Sequence, residues 1–206
     1  MKRTNKVLLL APHTDDGELG CGGTLARMVM AGHQVKYVAF CAPQKNLERE
    51  LERAMGILGI DDFSILDHKI RNFDRQRQDI LDMLVGLNED YVPDLVLLPS
   101  VHDMHQDHTV VYNEGLRAFR KTSILSYELP WNHLTFNTQA FIPLRVEHMK
   151  KKLQALKCYY TQRDRDYMAK DSIRSTARAR GMQIGTKYAE CFEVVRWIMN
   201  GRSFQL

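Results

Sequence analysis

Leu8-Leu9-Leu10-Ala11-Pro12-His13-Thr14-Asp15-Asp16-Gly17-Glu18-Leu19-Gly20-Cys21-Gly22-Gly23-Thr24 is the stretch on which the reading of this 206-residue chain turns. It opens as an apolar run and closes in glycines, with one imidazole and two adjacent carboxylates between. Lys6 to Ala11 has the pattern of a parallel strand covered on both faces, which is apolar almost without interruption. Pro12 has no N–H for a ladder and is expected to end that strand. His13, Asp15 and Asp16 then fall just past a strand's carboxyl end, where open α/β sheets bind their ligands.

The same design recurs about ninety residues later. Asp94 to Pro99 is again an apolar strand stopped by proline, and Ser100 to His108 follows with His102, Asp103, His105, Asp107 and His108. Between the two knots the chain predicts a helix over Gly20 to Gly32 and a strand over Val35 to Cys41. A helix marked by Leu47, Leu51, Ala54, Met55 and Leu58 follows, ended by Gly59. Next come a short strand from Phe63 to Leu66 and a helix marked by Ile80, Leu81, Leu84 and Leu87. Beyond the second knot, a helix is expected from Asp107 to Arg120 and a strand from Ile124 to Leu129. Ala140 to Leu144 is read as a strand, Val146 to Tyr159 and Ser172 to Gly181 as helices. Tyr188 to Ile198 returns to the sheet.

Strands alternating with helices imply βαβ units. The expected fold is therefore α/β: a Rossmann-like, mostly parallel sheet with helices on both faces. In the common doubly wound order the first and fourth strands are neighbours, so both knots would face one pocket at their carboxyl ends. The length suits one domain over residues 1–206, with a core over 1–130 and a C-terminal extension over 131–206 on the substrate side.

Composition narrows the class. At 44% hydrophobic and 26% charged residues the chain matches ordinary globular proteins. No apolar run approaches the roughly 20 residues that span a bilayer. The run after the basic N-terminus is too short for a signal peptide, so a cytoplasmic location is expected. Cys21, Cys41, Cys158 and Cys191 form no CxxC pair, which argues for small buried thiols rather than a disulfide framework or a cysteine zinc site. The net charge of +4 gathers in the last third of the chain. There Lys150 to Arg180 interleaves Arg163, Arg165, Arg174, Arg178 and Arg180 with Tyr159, Tyr160 and Tyr167. Such a stretch is a solvated helix face, a pocket wall, or a grip on single-stranded nucleic acid.

Taken singly, Asp15 or Asp107 could be a helix N-cap and any one histidine an ordinary loop side chain. Five His and Asp side chains converging on one sheet edge point instead to a metal site. Imidazole nitrogen with carboxylate oxygen suits Zn²⁺ in a catalytic site, and iron(II) or manganese by ligand type. Two adjacent carboxylates suggest divided labour, one on the metal and one acting as base, which describes metal-assisted hydrolysis.

PHTDDGELGCGGT resembles the first signature of the PIG-L/LmbE-like family of metal-dependent N-deacetylases, (A/P)HPDDE with a glycine-rich turn. HQDH within DMHQDH is similar to that family's second signature, HxDH. Glu48 to Ile60, Tyr127-Glu128, Lys151 to Gln162 and Gly181 to Phe192 resemble further landmarks, so the likeness spans essentially the whole chain. It implies His13, Asp16 and His108 as metal ligands and Asp15 as the general base for the attacking water. It further implies His105 as oxyanion stabiliser and proton donor to the leaving amine, with Asp107 orienting a histidine. The implied reaction removes an N-acetyl group from an amino sugar of the N-acetylglucosamine type and releases acetate; homo-oligomers also occur in the family. Thr14 stands where the family has proline, and Gly17 where it commonly has glutamate, with Glu18 one place later. Asp103 replaces an aromatic residue that assists the oxyanion in some relatives. Tyr127, Trp131, Arg53 and Arg71 are candidate substrate contacts, or core and surface residues.

Three rivals differ in class. Gly20, Gly22 and Gly23 after a strand suggest a nucleotide-binding turn, but the spacing is not GxGxxG and no acidic residue closes the second strand. A non-catalytic metal-binding module fits less well, because every implied ligand and the base are present. A polyanion-binding module would use the basic C-terminal stretch.

Overall fold

Alternation along the first strand, β1 (Lys6–His13), explains its uninterrupted apolar run. Val7, Leu9 and Ala11 enter one core cluster, and Leu8 and Leu10 enter the other. A strand with a core on each face has no wet side, so the period of two disappears from its sequence. The computed structural model describes residues 4–199 and shows helices on both faces of one seven-stranded sheet.

Chain order runs β1, α1 (Asp16–Met30), β2 (Gln34–Cys41), α2 (Lys45–Leu58), β3 (Asp62–Ile65), α3 (Arg77–Tyr91) and β4 (Leu95–Pro99). It continues with α4 (Gln106–Ala118), β5 (Ser123–Tyr127), β6 (Ala140–Leu144), α5 (Val146–Leu156), α6 (Lys170–Gln183) and β7 (Tyr188–Arg196). The sheet order is β3-β2-β1-β4-β5-β7-β6, with β1 to β5 parallel and β7 antiparallel to both β5 and β6. The mostly parallel sheet with adjacent first and fourth strands is as expected. One core holds side chains of α1, α2, α5 and α6; the other holds those of α3 and α4. Among the described residues no helix is long and apolar enough to cross a membrane.

Two boundaries near the first knot differ from expectation. β1 does not stop at Pro12 but runs on to His13, opposite Cys41 of β2. Its pairing with β4 ends at Leu9, opposite Leu97. Pro12 therefore sits where β1 has a neighbour on one side only, a place that tolerates a missing N–H. α1 starts at Asp16, four residues before the expected Gly20, with Leu19 N donating to Asp15 O at 3.0 Å. Polar Asp16, Gly17 and Glu18 carry no apolar period, yet carboxylates suit the first turn of a helix, where unpaired N–H groups concentrate positive potential.

α1 is kinked at Cys21, whose backbone leaves the helical region (φ −145°, ψ 25°). A regular helix would pair Gly23 N–H with Leu19 C=O. Here Gly23 N donates to Glu190 Oε1 at 3.0 Å, Thr24 N donates to Glu190 Oε2 at 2.6 Å, and Lys152 Nζ donates to Leu19 O at 2.8 Å. Lys152 and Glu190 also pair with each other at 2.6 Å, both almost fully buried. An ion pair contributed by α5 and β7 thus meets the polar groups at the kink and ties the C-terminal elements to the helix that follows the first knot. Replacing Glu190 with Ala strands the Lys152 charge and two buried N–H groups. The expected loss is about 3–5 kcal/mol, read as a lowered urea midpoint, with Glu190→Gln losing less because it keeps an acceptor.

Candidate metal centre

The two knots meet. β1 carries His13 to its end, and α1 begins with Asp16; β4 ends at Pro99, and α4 begins one residue after His105. Three donor atoms from these termini form a triangle. His13 Nδ1 lies 3.0 Å from Asp16 Oδ2, Asp16 Oδ2 lies 3.1 Å from His108 Nε2, and His108 Nε2 lies 3.2 Å from His13 Nδ1. Residues 95 positions apart in the chain supply two of those corners.

Each imidazole is held from behind. Asp103 Oδ2 sits 2.7 Å from His108 Nδ1, and Asp107 Oδ2 sits 3.2 Å from His13 Nε2. A carboxylate at one ring nitrogen places the proton there and leaves the other nitrogen's lone pair bare. His13 Nδ1, His108 Nε2 and an Asp16 oxygen then turn three acceptors toward one point, an arrangement that repels itself unless a proton or cation sits among them. The donor set, two imidazoles and a carboxylate, fits a divalent transition metal. His13, His105 and His108 also have ligand atoms within 4.8 Å of one another. That set is looser, and His105 Nδ1 is already engaged as acceptor from Asp107 N at 3.2 Å, capping α4.

The charge state follows from burial among acids. Burial disfavours the imidazolium of His13, but Asp16 and Asp107 outweigh it and raise the pKa to about 9. The same opposition, with Asp16 and Asp103 prevailing over burial, raises His108 to about 10. Burial works against Asp16, yet His108 and His13 hold it well below the usual carboxylate range.

Asp15 stands at the N-cap of α1 but makes no capping hydrogen bond. Its side chain lines the cleft beside the triangle, and burial together with the Asp16 charge pushes its pKa up to about 6. Asp107 is no cap either: its Oδ2 accepts from Arg71 N at 2.7 Å as well as facing His13. His105 presents its ring to the cleft with centroids 4.7 Å from those of His13 and His108. Burial and those two histidines lower its pKa. His102 stays outside, 3.4 Å from Glu193.

Glu18 has a role that the sequence left open. It is fully buried and accepts from Tyr37 OH at 2.5 Å and Tyr159 OH at 2.6 Å. Both hydroxyls also lie within reach of the Thr14 carbonyl, at 3.1 and 2.6 Å. The network holds the turn between His13 and Asp15 from below. Burial, against those hydrogen bonds, pushes the Glu18 pKa up to about 8. Gly17 is explained as well: a Cβ there would lie 2.3 Å from Leu9 Cδ2, so this turn has no room for a side chain at that position.

The cleft over the triangle holds about 260 Å³ and is walled by Arg71, Trp131, Asn132, Gln162, Arg165 and Tyr167 among others. Of the basic and aromatic stretch, Arg165 and Tyr167 form part of the cleft wall, the pocket alternative, although nothing in the sequence separates Arg165 from its basic neighbours. Trp131 and Arg71 do line the cleft. Tyr127 does not: it is buried and donates to Leu10 O at 3.0 Å. Arg53 is exposed on α2. Much of the basic stretch is committed elsewhere, with Arg180 paired to Glu128 and Lys152 to Glu190. All four cysteines are free, three of them buried and Cys158 partly so.

Comparison with known proteins agrees with this geometry. The model of the family described as PIG-L, GlcNAc-PI de-N-acetylase, matches residues 8–119, which contain both knots. Over 163 residues the chain is 31% identical to an uncharacterized deacetylase of Escherichia coli K12, YaiS, spanning 73% of this chain and 88% of that protein. The fold superposes on N,N'-diacetylchitobiose deacetylase from Pyrococcus horikoshii with a TM-score of 0.76 at 20% identity, covering 93% of this chain and 84% of the other. It also superposes on GalB, the 4-carboxy-2-hydroxymuconate hydratase of Pseudomonas putida KT2440, with a TM-score of 0.82 at 17% identity, covering 98% and 100%. Those two likenesses are of fold. The matched signatures, the extent of the sequence identity and the meeting of both knots at one sheet edge lead to one assignment: the chain belongs to the PIG-L family.

Proposed function

We propose that this protein is a metal-dependent N-deacetylase acting on an amino sugar of the N-acetylglucosamine type or a conjugate of one. The observation that carries the reading is the triangle of donor atoms, with a second carboxylate, Asp15, which makes no capping hydrogen bond, lining the same cleft. His13, Asp16 and His108 would hold the ion, zinc by donor type with iron(II) or manganese as competitors. Held there, a divalent cation supplies Lewis acidity that polarises an amide carbonyl and makes water a nucleophile near neutral pH.

The remaining steps belong to the chain's own groups. Asp15, its carboxyl raised by burial, accepts a proton from the attacking water. His105 accepts from Asp107 N through Nδ1, so its Nε2 carries the proton and would stabilise the oxyanion as a hydrogen-bond donor from the cleft wall. The proton that Asp15 took from the water passes to the leaving amine. Asp107 and Asp103 orient His13 and His108. Arg71, Arg165, Asn132 and Gln162 offer hydrogen bonds suited to sugar hydroxyls. Four cleft-lining residues, Trp131, Gln162, Arg165 and Tyr167, come from the segment after residue 130, which supports a single domain whose C-terminal extension is the substrate side.

The test is metal content together with acetate and free-amine release from a panel of N-acetylglucosamine derivatives, before and after chelation. About one zinc per chain and chelator-sensitive release of both products is the expected result. Release of neither product sinks the reading, and the fold it shares with a hydratase makes water addition to a carbon–carbon double bond the next assay. Asp16→Ala and His108→Ala should purify with little metal. Asp15→Asn should keep its metal yet lose about 10²–10⁴-fold in turnover; full activity in that variant removes Asp15 as base. Asp103→Ala frees the His108 ring and should weaken zinc affinity about 10–100-fold in a competitive chelator titration.

A further inference from the structure

A second cavity of about 270 Å³ lies behind the cleft. Leu19, Trp131 and Tyr167 line both spaces, so the two share a wall rather than merely lying near each other. Trp131 and Tyr167 form that wall as a stacked pair, with ring centroids 4.2 Å apart and planes 10° from parallel. Each sits in a short 3₁₀ turn, Pro130–Asn132 and Asp166–Met168. Leu19 is three residues after Asp16 on α1, on the same face and about 5 Å further along the axis. The inner cavity therefore begins one helical turn from the metal triangle.

What could enter follows from what its wall offers. Five charged side chains line it: four are engaged in pairs, Arg180 with Glu128, and Lys152 with Glu190 and the Leu19 carbonyl, and the fifth, Asp166, is exposed. With those groups satisfied by one another, the surface left to an occupant is mainly that of Leu19, Pro130, Trp131, Ile173, Ala177 and Ala189. Beyond the Asp166 carboxylate and the Ser172 and Thr176 hydroxyls, a sugar ring would bring its hydroxyls to a wall without spare partners, a costly burial. A hydrocarbon chain would not. The volume is many times the roughly 30 Å³ that one water occupies in the liquid, enough for several methylene groups.

We infer that this cavity takes the acyl chain of the amide substrate, so that the enzyme hydrolyses N-acyl groups of several carbons in preference to acetyl. This rests on the amide-hydrolase reading above and gives it a substrate class. Within one helical turn of the scissile carbonyl, the apolar part of such a substrate is its acyl chain, while the sugar stays in the polar cleft with Arg71 and Arg165. The chemistry is unchanged. The amide C–N bond breaks, the water oxygen ends on the acyl carbon as a medium-chain carboxylate, and the amine nitrogen takes the proton. Each methylene buried is worth about fourfold in binding.

The experiment compares N-acetyl-, N-butyryl- and N-hexanoylglucosamine on the zinc-loaded protein and on two variants that fill the cavity, Ala177→Phe and Thr176→Phe. Thr176 is half-buried and its hydroxyl bonds only within α6, so its replacement disturbs little if Phe at 177 prevents folding. At least a tenfold higher kcat/KM for hexanoyl than for acetyl is expected in the native protein, and at least a tenfold fall of that ratio in the variants. Acetyl hydrolysed faster than hexanoyl, or a ratio that the variants leave unchanged, overturns the inference and leaves the deacetylase reading standing. If no chain length is hydrolysed, the deacetylase reading fails first and binding decides the cavity. Trp131 and Trp197 are the two tryptophans, so Trp197→Phe makes Trp131 the sole reporter at the shared wall. A saturable fluorescence change with N-hexanoylglucosamine that the filling variants abolish supports the chain site; no change overturns it.

Discussion

Parallel pairing of β1 with β4, Val7 to Leu9 against Leu95 to Leu97, is the constraint on which the rest of the molecule depends. Parallel neighbours end at the same edge of a sheet. Whatever follows each strand is therefore delivered to one place, however many residues lie between. His13 and His108 come within 3.2 Å because the strands that precede them are parallel neighbours that deliver to the same edge. Three crossover helices and two further strands separate them in the chain, and of these α1 supplies the third corner, Asp16.

Such a cluster is costly to hold together, since it gathers carboxylates and imidazoles out of water. The structure offsets the cost with partners in layers. Asp103 and Asp107 sit behind the histidines; Arg71 N sits behind Asp107; Tyr37 and Tyr159 hold Glu18 and, through it, the Thr14 turn. One helical turn further, Lys152 and Glu190 occupy the kink in α1. The helix that begins with a candidate ligand is fixed at its first turn by the tyrosines and at its second by an ion pair. A rotation of α1 that moved Asp16 would have to break both, so the donor triangle is preorganised rather than assembled on demand.

The same ion pair connects the donor triangle's helix to the second cavity. By engaging Lys152 and Glu190 with the helix, and Arg180 with Glu128, the fold pairs four of the five charged side chains that line the second cavity. Groups that read as a basic surface in the sequence thereby leave a largely apolar wall. The polar cleft and the more apolar cavity stand side by side, and the stacked Trp131 and Tyr167 line both. An amide substrate with a polar amine side and an apolar acyl side has the same division.

Local pattern was enough to determine the α/β class and to set two His/Asp knots after buried strands, because each depends on short-range chemistry. The adjacency of the knots followed from the common doubly wound order, and the His13, Asp16, His108 grouping from the family resemblance. Apolar runs mark buried strands, glycines end helices, as Gly59 does with φ +79°, and His/Asp spacing marks a cation site. Boundaries failed where burial was polar. α1 begins at Asp16 because buried acids occupy its first turn, which no apolar period announces. β1 survives Pro12 because its β4 neighbour has already ended. Only the tertiary structure decided that β7 inserts antiparallel between β5 and β6, since strand order depends on long-range packing. It alone gave Glu18 and Asp103 their partners, moved Tyr127 into the core and brought Arg165 to the cleft. Those outcomes rest on contacts between residues far apart in the chain: Glu18 with Tyr159 lies 141 positions away, and Gly23 with Glu190 167. A sequence read locally carries the identity of such groups but not the distance between them.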